Sequence, residues 1–243
     1  MDDFMKNISN AYSLAEVLLA LTVLGILMVL TLPSLLLTYE KQIYLSGVRD
    51  VMNEGNKAFA AFALKDGASG KLSATNLFAN NPLVAGNGLA KVYKTVKECS
   101  GAAGDCWSKN PKTNIGTVDF NAENSYKFMD VKGKTYSITS YGTNCQTLVA
   151  TNENAIKYQK FAKGCGTFIV DLDGARGPNT YGRDVFGFII LDNYPAYLYP
   201  MGGKFDNING HWQAAGTCER GGANHSLTCT GRIVEDGWRI NYY

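Results

Sequence analysis

Charged side chains and histidines are scarce in this chain. Only 18% of its 243 residues are charged, two are histidine, and the formal net charge is +2. The apolar fraction of 46% excludes a disordered, highly charged polymer. A net charge this small creates no long-range field that would attract nucleic acid, so we expect no nucleic-acid partner.

The motifs of common catalytic and nucleotide-binding sites are absent as well. The chain has no G-x-S-x-G, no P-loop, no H-E-x-x-H and no G-x-G-x-x-G. A catalytic nucleophile also needs a base and a group that orients the base, and the two histidines provide no convincing set. We therefore expect a protein that is not an enzyme.

What the chain does have is one long apolar run near its start. Residues 17–37 include no charged side chain. About 21 helical residues reach ~31 Å, which is close to the hydrocarbon thickness of a bilayer, whereas secretory signals have shorter apolar cores. We expect this run to cross a membrane.

Helical periodicity continues past the apolar run. Apolar side chains keep a spacing of three and four residues up to the Asp66-Gly67 pair, which is a good stop signal. The pattern predicts one helix over 12–65, with a kink or local melting at Pro33 because proline lacks the amide donor. The positions that set the pattern are Tyr44, Val48, Val51, Met52, Phe59, Phe62 and Ala63.

Glu16 stands directly before the apolar run, where a carboxylate is expensive. On insertion scales an acidic residue at the bilayer centre costs about 2.5–3.5 kcal/mol. One interpretation is a boundary charge that reaches the lipid headgroups. The other is an ion pair: a cut after Ala11 would create an α-amine on Tyr12, and this amine can neutralise Glu16 in the same chain or in a neighbouring one.

The segment AYSLAEVLLALTVLGILMVLTLP resembles the N-terminus of type IV pilins and of the pseudopilins of type II secretion. In that family a short leader ends in a small residue, usually Gly, and the mature chain begins with an aromatic residue and has Glu at its fifth position. Here Ala11 takes the place of the usual Gly. The other matching residues are Tyr12, Ser13, Leu14, Glu16, Gly25 and Pro33.

The resemblance implies a route of maturation and assembly. A prepilin peptidase would remove the leader, residues 1–11, and Tyr12 would be methylated. The helix over 12–65 would then pack subunits into a fibre through Glu16, Gly25 and Pro33. The implied partners are other pilin or pseudopilin subunits, the peptidase, an inner-membrane assembly platform and, before assembly, membrane lipid. The implied location is the inner membrane, with a single-pass precursor and an exported head, and then an extracellular or periplasmic filament.

Three functions remain open from the sequence. The first is a structural subunit of a type IV pilus or of a type II secretion pseudopilus. The second is a minor pilin-like adhesin or DNA-uptake tip protein whose head binds a ligand. The third is an uncleaved, membrane-anchored exoprotein or enzyme, whose mass would remain that of the full chain.

Residues 66–243 are rich in Gly, Asn, Thr and Tyr and form the head. Residues 66–130 predict loops with short helical or extended pieces, including a small helix near 89–96. Strand signals separated by Gly and Asn turns follow. They predict an antiparallel meander against the second half of the helix, an α+β fold of type IV pilin-like layout. The predicted strands cover 135–141, 146–150, 167–172, 185–191, 196–199 and 232–240.

All six cysteines lie in this head. An even number in an exported head favours disulfides, and we expect bridges between nearest neighbours in sequence because short loops close readily. The alternative is zinc held by His211, Cys218, His225 and Cys229, although this spacing matches no standard zinc pattern. The expected bridges are Cys99–Cys106, Cys145–Cys165 and Cys218–Cys229.

The segment DLDGARGPNTYGRDVFGF contains the best candidate for a metal site. Asp171 and Asp173 alternate at a strand end, Asp184 follows a glycine-rich loop, and oxygen-rich loops of this kind bind calcium. The spacing of an EF-hand is absent, and the alternative is a turn that needs no ion. We expect no cofactor, and calcium in this loop stays the open alternative.

Aromatic residues recur towards the end of the head. They allow either a ligand-stacking surface or the core and cross-strand pairs of a sheet, and we expect the latter. These residues are Tyr194, Tyr197, Tyr199, Trp212 and Trp238.

Overall fold

The computed structural model divides the chain into two compact units, Met1–Gln42 and Ile43–Tyr243, and each is described by itself. The structure describes residues 13–78, 88, 92–99, 106, 112–113, 116–117, 125–142, 145, 147–148, 163–174, 176, 179–192, 197–213, 218–219 and 225–243.

The first helix, α1, covers Leu14–Lys65 without interruption. Local melting at Pro33 is therefore not found. Proline removes a single amide donor, and the bonds of the flanking turns are enough to keep the helix continuous. The helix stops before the Asp66-Gly67 pair, where Gly67 takes a φ of +64° that suits glycine.

The hydroxyl groups of the apolar stretch are satisfied within α1 itself. Thr22 Oγ1 donates to the carbonyl of Leu19 at 2.8 Å. The hydroxyls of Thr31, Ser34 and Thr38 donate to carbonyls three or four residues earlier, each at 2.9 Å. Because these groups need no outside partner, the stretch can enter an apolar medium at low cost.

By its length and composition α1 can cross a membrane. Its most apolar window has a mean hydropathy of 2.4, and 0% of that window is buried. The exposed fraction is 79% at Leu14 and still 41% at Leu37. The helix thus has the length and composition of a membrane anchor or of a signal-like segment.

The part of α1 in the second unit has one buried face. The Phe59 ring packs edge-on against Phe168, with 6.4 Å between ring centroids, and lies 6.1 Å from the ring of Tyr197. The buried positions recur at the spacing of one helix face. They are Val48, Val51, Gly55, Ala58, Phe59 and Ala63.

Strands make up most of the remaining regular structure in the second unit. Two 3-10 turns, Leu72–Ala74 and Asn76–Phe78, come directly after α1. The strands among the described residues are β1 Thr95–Cys99, β2 Lys112–Thr113, β3 Gly116–Thr117, β4 Ser125–Asp130, β5 Thr135–Ser140, β6 Thr147–Leu148, β7 Lys163–Asp171, β8 Val185–Leu191 and β9 Leu198–Pro200.

Six of these strands follow one another across an open sheet in the order β1-β4-β5-β7-β8-β9, and every pairing is antiparallel. β6 pairs with β7 off this path, and β2 pairs with β3 separately. The predicted α+β fold class, a long N-terminal helix with an antiparallel sheet, is confirmed. The fully buried side chains of the sheet include Phe128, Tyr136, Ile138, Phe168, Val170, Phe186 and Phe188.

The strand predicted over 232–240 is wrong. A second helix, α2, covers Cys229–Glu235, and Gly237 turns the chain after it with a φ of +70°. Cys229 and Ile233 are both fully buried, and they lie four residues apart. A helix places such a pair on one face, and the bridge from Cys229 to Cys218 fixes its first turn.

β1 and β4 lie in the region where the sequence predicted loops with short pieces. Lys97 and Glu98 of the edge strand β1 are exposed, so the sequence of this strand shows no apolar alternation. In β4 the charged residue Lys127 is only 5% exposed, so a charge stands at a buried position of the strand. The small helix predicted near 89–96 is wrong at its end, because β1 begins at Thr95. Residues 89–91 lie outside the described residues.

Asn56 connects α1 to the last strand of the sheet. Its Oδ1 atom accepts hydrogen bonds from the backbone amides of Tyr197 at 2.7 Å and Leu198 at 2.9 Å. The amides at the start of the edge strand β9 thus have a partner on the helix, which protects this end of the sheet.

Replacing Asn56 by Ala removes the acceptor of both amides. Leaving half-buried amides without it should lower the free energy of unfolding by about 1–3 kcal/mol. The measurement is the denaturation midpoint of the detergent-solubilised full chain. The control is Lys57→Ala, one residue along on the exposed surface of the same helix. Equal midpoints for the two variants would contradict the role given to Asn56.

Candidate functional site

Ser13 and Glu16 cap the start of α1 reciprocally. The Ser13 amide donates to Glu16 Oε2 at 2.9 Å, and the Glu16 amide donates to Ser13 Oγ at 3.2 Å. The Ser13 hydroxyl also donates to Glu16 Oε2 at 3.2 Å. This is a capping box, and it satisfies amide donors that the first turn of a helix leaves open. The S-x-x-E spacing was available in the sequence as a signal for it.

Of the remaining residues expected to serve processing and assembly, the structure describes Gly25 and Pro33, both within α1. Ala11 and Tyr12 lie outside the described residues. Gly25 lies within α1, and a Cβ atom added there would meet nothing within 4 Å. The described part of the chain therefore gives no packing reason of its own for a glycine at this position.

The oxygen-rich loop, residues 171–174 and 179–184, joins β7 to β8. Asp171 is fully buried, and its Oδ1 atom accepts the amides of Asp173 at 3.3 Å and Gly174 at 3.1 Å. Its Oδ2 atom accepts the Asn179 side-chain amide, which also donates to the Gly174 carbonyl at 2.9 Å. These bonds fold the loop back on the strand end, as expected for an Asx-type turn.

Carboxylates are crowded in this loop. Burial, followed by the adjacent Asp173 carboxyl and the charge of Asp184, raises the pKa of Asp171 to about 9. Burial also raises the pKa of Asp184 to about 6, although a hydrogen bond from the Thr180 amide to its carboxylate opposes that rise. Negative charge at this loop is therefore unfavourable unless a proton or a cation compensates it.

Two buried oxygens of the loop accept no hydrogen bond from the residues that the structure describes: Asp173 Oδ1 and Asn179 Oδ1. The Asn179 amide cannot simply be turned over, because its nitrogen faces the acceptors Asp171 Oδ2 and the Gly174 carbonyl. Carboxylate and amide oxygens are the ligand types that a hard cation prefers. Asn179 is not among the residues predicted from sequence, because an asparagine after Gly-Pro is also ordinary turn chemistry.

The three predicted aspartates do not all converge on one point. Among the described residues, the single group of three metal-ligating side chains with ligand atoms within 4.8 Å of one another is Cys145, Cys165 and Asp192. Its two sulfurs are already joined in a disulfide. The loop oxygens without a hydrogen-bond partner among the described residues belong to Asp173 and Asn179, and both residues donate hydrogen bonds to Asp171.

The six cysteines form three disulfides and none is free. The predicted nearest-neighbour pairing is confirmed. The zinc alternative is wrong, because Cys218 and Cys229 are bonded to each other and the histidines have other neighbours. His211 Nε2 lies 3.0 Å from Glu235 Oε2, and the His225 ring packs against Tyr242 with 5.1 Å between centroids. Burial lowers the pKa of His225.

The described aromatic residues of the candidate stacking surface belong to the packing of the head. Tyr197 is 1% exposed and Trp212 is 8% exposed. The guanidinium groups of Arg232 and Arg49 lie over the rings of Trp212 and Trp238, at 4.7 and 4.9 Å from the centroids. Tyr199 is half-buried, and Tyr194 lies outside the described residues.

Comparison with known proteins gives no match. No protein-family model, no curated protein and no solved structure matches this chain. Function therefore has to be argued from the sequence and from the geometry above.

Without reductant, the folded protein should contain no free thiol and no bound zinc. All six sulfurs are used in bridges, so none is left as a thiolate ligand. Alkylation with and without prior reduction, read by mass spectrometry, checks this. Alkylation of Cys218 and Cys229 before reduction, together with one zinc per chain, would reverse the assignment.

Proposed function

We propose that this chain is a structural subunit of a type IV pilus or of a type II secretion pseudopilus, cut after Ala11 and assembled through α1. One observation carries the proposal: residues 17–37 of α1 form an exposed, uncharged surface that begins directly after the carboxylate of Glu16. The α+β layout, a long N-terminal helix with an antiparallel sheet, is compatible with it.

The exposed apolar surface needs a cover. Contiguous apolar surface of this extent is not stable in water, and the side chains of the described residues leave it uncovered. Membrane lipid covers it in the precursor. In a fibre, the same surface of neighbouring subunits covers it, so one segment serves as anchor first and as assembly element later.

The proposed partners and location follow from this route. A prepilin peptidase cuts at Ala11, an inner-membrane platform assembles the fibre, and other pilin or pseudopilin subunits are the neighbours. The precursor crosses the inner membrane once and exports the head, and the mature subunit lies in an extracellular or periplasmic filament. Three disulfides support export, because such bridges persist in oxidising compartments.

A second candidate is a minor subunit, an adhesin or DNA-uptake tip protein, whose head binds a ligand. One feature bears on it: a groove of about 380 Å³ beside α1 whose lining is of mixed charge, with three lysines and the carboxylates of Glu54 and Asp130. Lys132 of this lining is paired with Glu54. Abundance in sheared fibres discriminates the two roles, since a tip protein is rare there. Binding of glycans or DNA by the head would support the tip role.

Replacing Glu16 by Gln separates charge from capping. Gln can still accept the Ser13 amide in a capping box but does not neutralise the amine that the cut creates on Tyr12. Removing one partner of a buried ion pair costs about 3–5 kcal/mol, repeated at each subunit. Insertion and cutting should stay near normal, and fibre yield should fall severely for both Glu16→Gln and Glu16→Ala.

The measurement is the sheared-fibre fraction, normalised to mature protein in the membrane. Intact mass identifies mature protein by the cut, the methyl group and the three bridges. The matched control is Glu40→Gln, the same change at another position of α1. Fibre yield at the wild-type level from both Glu16 variants would refute the ion pair and leave Glu16 as a boundary charge.

We also propose that the oxygen-rich loop takes calcium, with Asp173 and Asn179 as the side chains that would hold it. The two buried oxygens without a hydrogen-bond partner support this set. Asp171 and Asp184 would shape the loop instead, since both carboxylates already accept hydrogen bonds from the loop and the Asp184 carbonyl accepts the Leu172 amide at 3.0 Å.

Calcium should then stabilise the folded protein. A ligand at 100 times its dissociation constant adds about 2.7 kcal/mol, which shifts the melting temperature by several degrees. Asp173→Asn should abolish the shift, whereas Asp50→Asn, the same change on the exposed surface of α1, should keep it. A melting temperature insensitive to calcium and to chelator in all three proteins would leave the loop as a turn that needs no ion.

A further inference from the structure

The second histidine of the chain is buried against the C-terminal segment, residues 236–243. His225 is 8% exposed, and its ring packs against those of Tyr242 and Tyr243, with 5.1 and 5.8 Å between ring centroids. The loop between β7 and β8 is also close, because a Cβ atom added to Gly182 would lie 3.4 Å from the His225 Cβ atom. His225 therefore lies where the C-terminal segment and this loop come together.

The C-terminal segment is bonded to the loop at the same place. The Tyr242 hydroxyl donates to the Gly182 carbonyl, and Tyr242 is 1% exposed. Nearer the start of the segment, the Trp238 amide donates to the Ile233 carbonyl at 2.7 Å. Residues 239–243 belong to no helix or strand, so contacts such as those of Tyr242 hold them in place.

The neutral His225 ring fits this site better than the charged ring. The ring is hydrogen-bonded to the backbone of Tyr242, and its Nε2 atom is buried without a hydrogen-bond partner among the described residues. The bond to Tyr242 therefore uses Nδ1. Protonation would place a positive charge and a donor without an acceptor at Nε2, which costs more than an unused lone pair. Burial lowers the pKa of His225 accordingly, although the bond to Tyr242 opposes this effect.

Two further cations lie around the rings that contact His225. The guanidinium group of Arg183, in the loop, lies 6.0 Å from the ring centroid of Tyr243. That of Arg232, in α2, lies 5.8 Å from the ring centroid of Tyr242. A charged His225 would thus be a third cation in the same aromatic cluster, which adds to the cost of charging it.

The nearby side-chain carboxylates already have donors of their own. Within 180–184, α2 and the C-terminal segment, the described acidic residues all accept hydrogen bonds from groups other than His225, and Arg239 of the segment is exposed. A charged His225 would therefore find no carboxylate that is ready to neutralise it. These pairs are Asp184 with the Thr180 amide, Glu235 with Trp212 and His211, and Asp236 with Arg232.

We propose that His225 is a pH-sensitive contact of the C-terminal segment: the neutral ring holds residues 236–243 against the loop before β8, and the charged ring releases them. Acid then exposes the rings of Tyr242 and Tyr243. The inference is independent of the proposed function, because it concerns the folded head alone.

The direction of the effect with pH follows from burial. An unperturbed histidine has a pKa of about 6.5, and that of His225 is lower in the folded protein. The contribution of the neutral ring is therefore complete above about pH 6.5 and is lost as the pH falls below that value. Asp184 acts in the opposite direction, because burial raises its pKa to about 6 and acid favours its protonated form in the fold.

His225→Gln and His211→Gln make the same change at the two histidines of the chain. Glutamine stays neutral and keeps an amide donor for the backbone of Tyr242. Each full chain is solubilised in detergent. Hydrogen exchange of the peptide that covers 236–243 is measured by mass spectrometry at about pH 7.5 and about pH 5.0, with correction for the intrinsic pH dependence of exchange.

In the wild type and in His211→Gln, exchange of this peptide should accelerate about tenfold at the lower pH, since one pKa unit corresponds to a factor of ten in the equilibrium constant. His225→Gln should show no such acceleration, and any effect of Asp184 is common to all three proteins. An equal acceleration in His225→Gln, or none in the wild type, would overturn the role of His225.

The wild type alone provides a second test, which does not depend on whether His225→Gln folds. The ring of His225 is titrated by NMR in protein with isotope-labelled histidine, and His211→Gln assigns its signal. Charging of the ring and faster exchange of the C-terminal peptide should occur over the same pH range. A ring that becomes charged while the peptide stays protected, or a peptide that opens while the ring stays neutral, would contradict the proposal.

Discussion

The constraint on which the chain depends is that a carboxylate must stand at the edge of an uncharged helical stretch without destabilising it. Residues 17–37 include no charge, and Glu16 comes directly before them. The capping box answers this by giving Glu16 Oε2 two donors from Ser13. Hydrogen bonds within the helix also satisfy the polar groups of the apolar stretch, where Thr and Ser hydroxyls donate to carbonyls of their own helix. The apolar segment therefore presents no unsatisfied hydroxyl to lipid or to a neighbouring chain.

The head has a different constraint, because a sheet of modest size has to cover one face of the helix. Phe59 and Tyr136 are among its largest fully buried side chains, and the core continues through β7 and β8. Two of the disulfides are part of that core, since Cys145, Cys165, Cys218 and Cys229 are all fully buried or nearly so. Each closes a loop of 20 or 11 residues in sequence, so it stabilises the fold mainly by restricting the unfolded chain.

Local signals in the sequence predicted much of this fold. The helix, the central strands β5, β7 and β8 and the three bridges come from apolar periodicity, turn residues and cysteine order, which need no knowledge of distant contacts. The edge strand β1 and helix α2 were not predicted, because exposed charges hide the pattern of β1 and a tertiary bridge decides the conformation after Cys229. At the candidate sites the carboxylates could be named from sequence. Asn179 could not, because its unpartnered oxygen exists only once the loop has closed on Asp171.

The two acidic sites of the chain share one physical logic, although they lie in different units. At Glu16, backbone and hydroxyl donors hold one oxygen, and the described residues leave the other without a donor. At Asp171, backbone amides and the Asn179 side chain satisfy the strand-end carboxyl and leave Asp173 Oδ1 and Asn179 Oδ1 without partners. In each site, local donors thus fix the orientation of the acidic group, and at least one oxygen of the site receives no hydrogen bond from the described residues. An acceptor that is oriented but not saturated can recruit a positive group from elsewhere, because the chain itself has already met the cost of desolvating and positioning it.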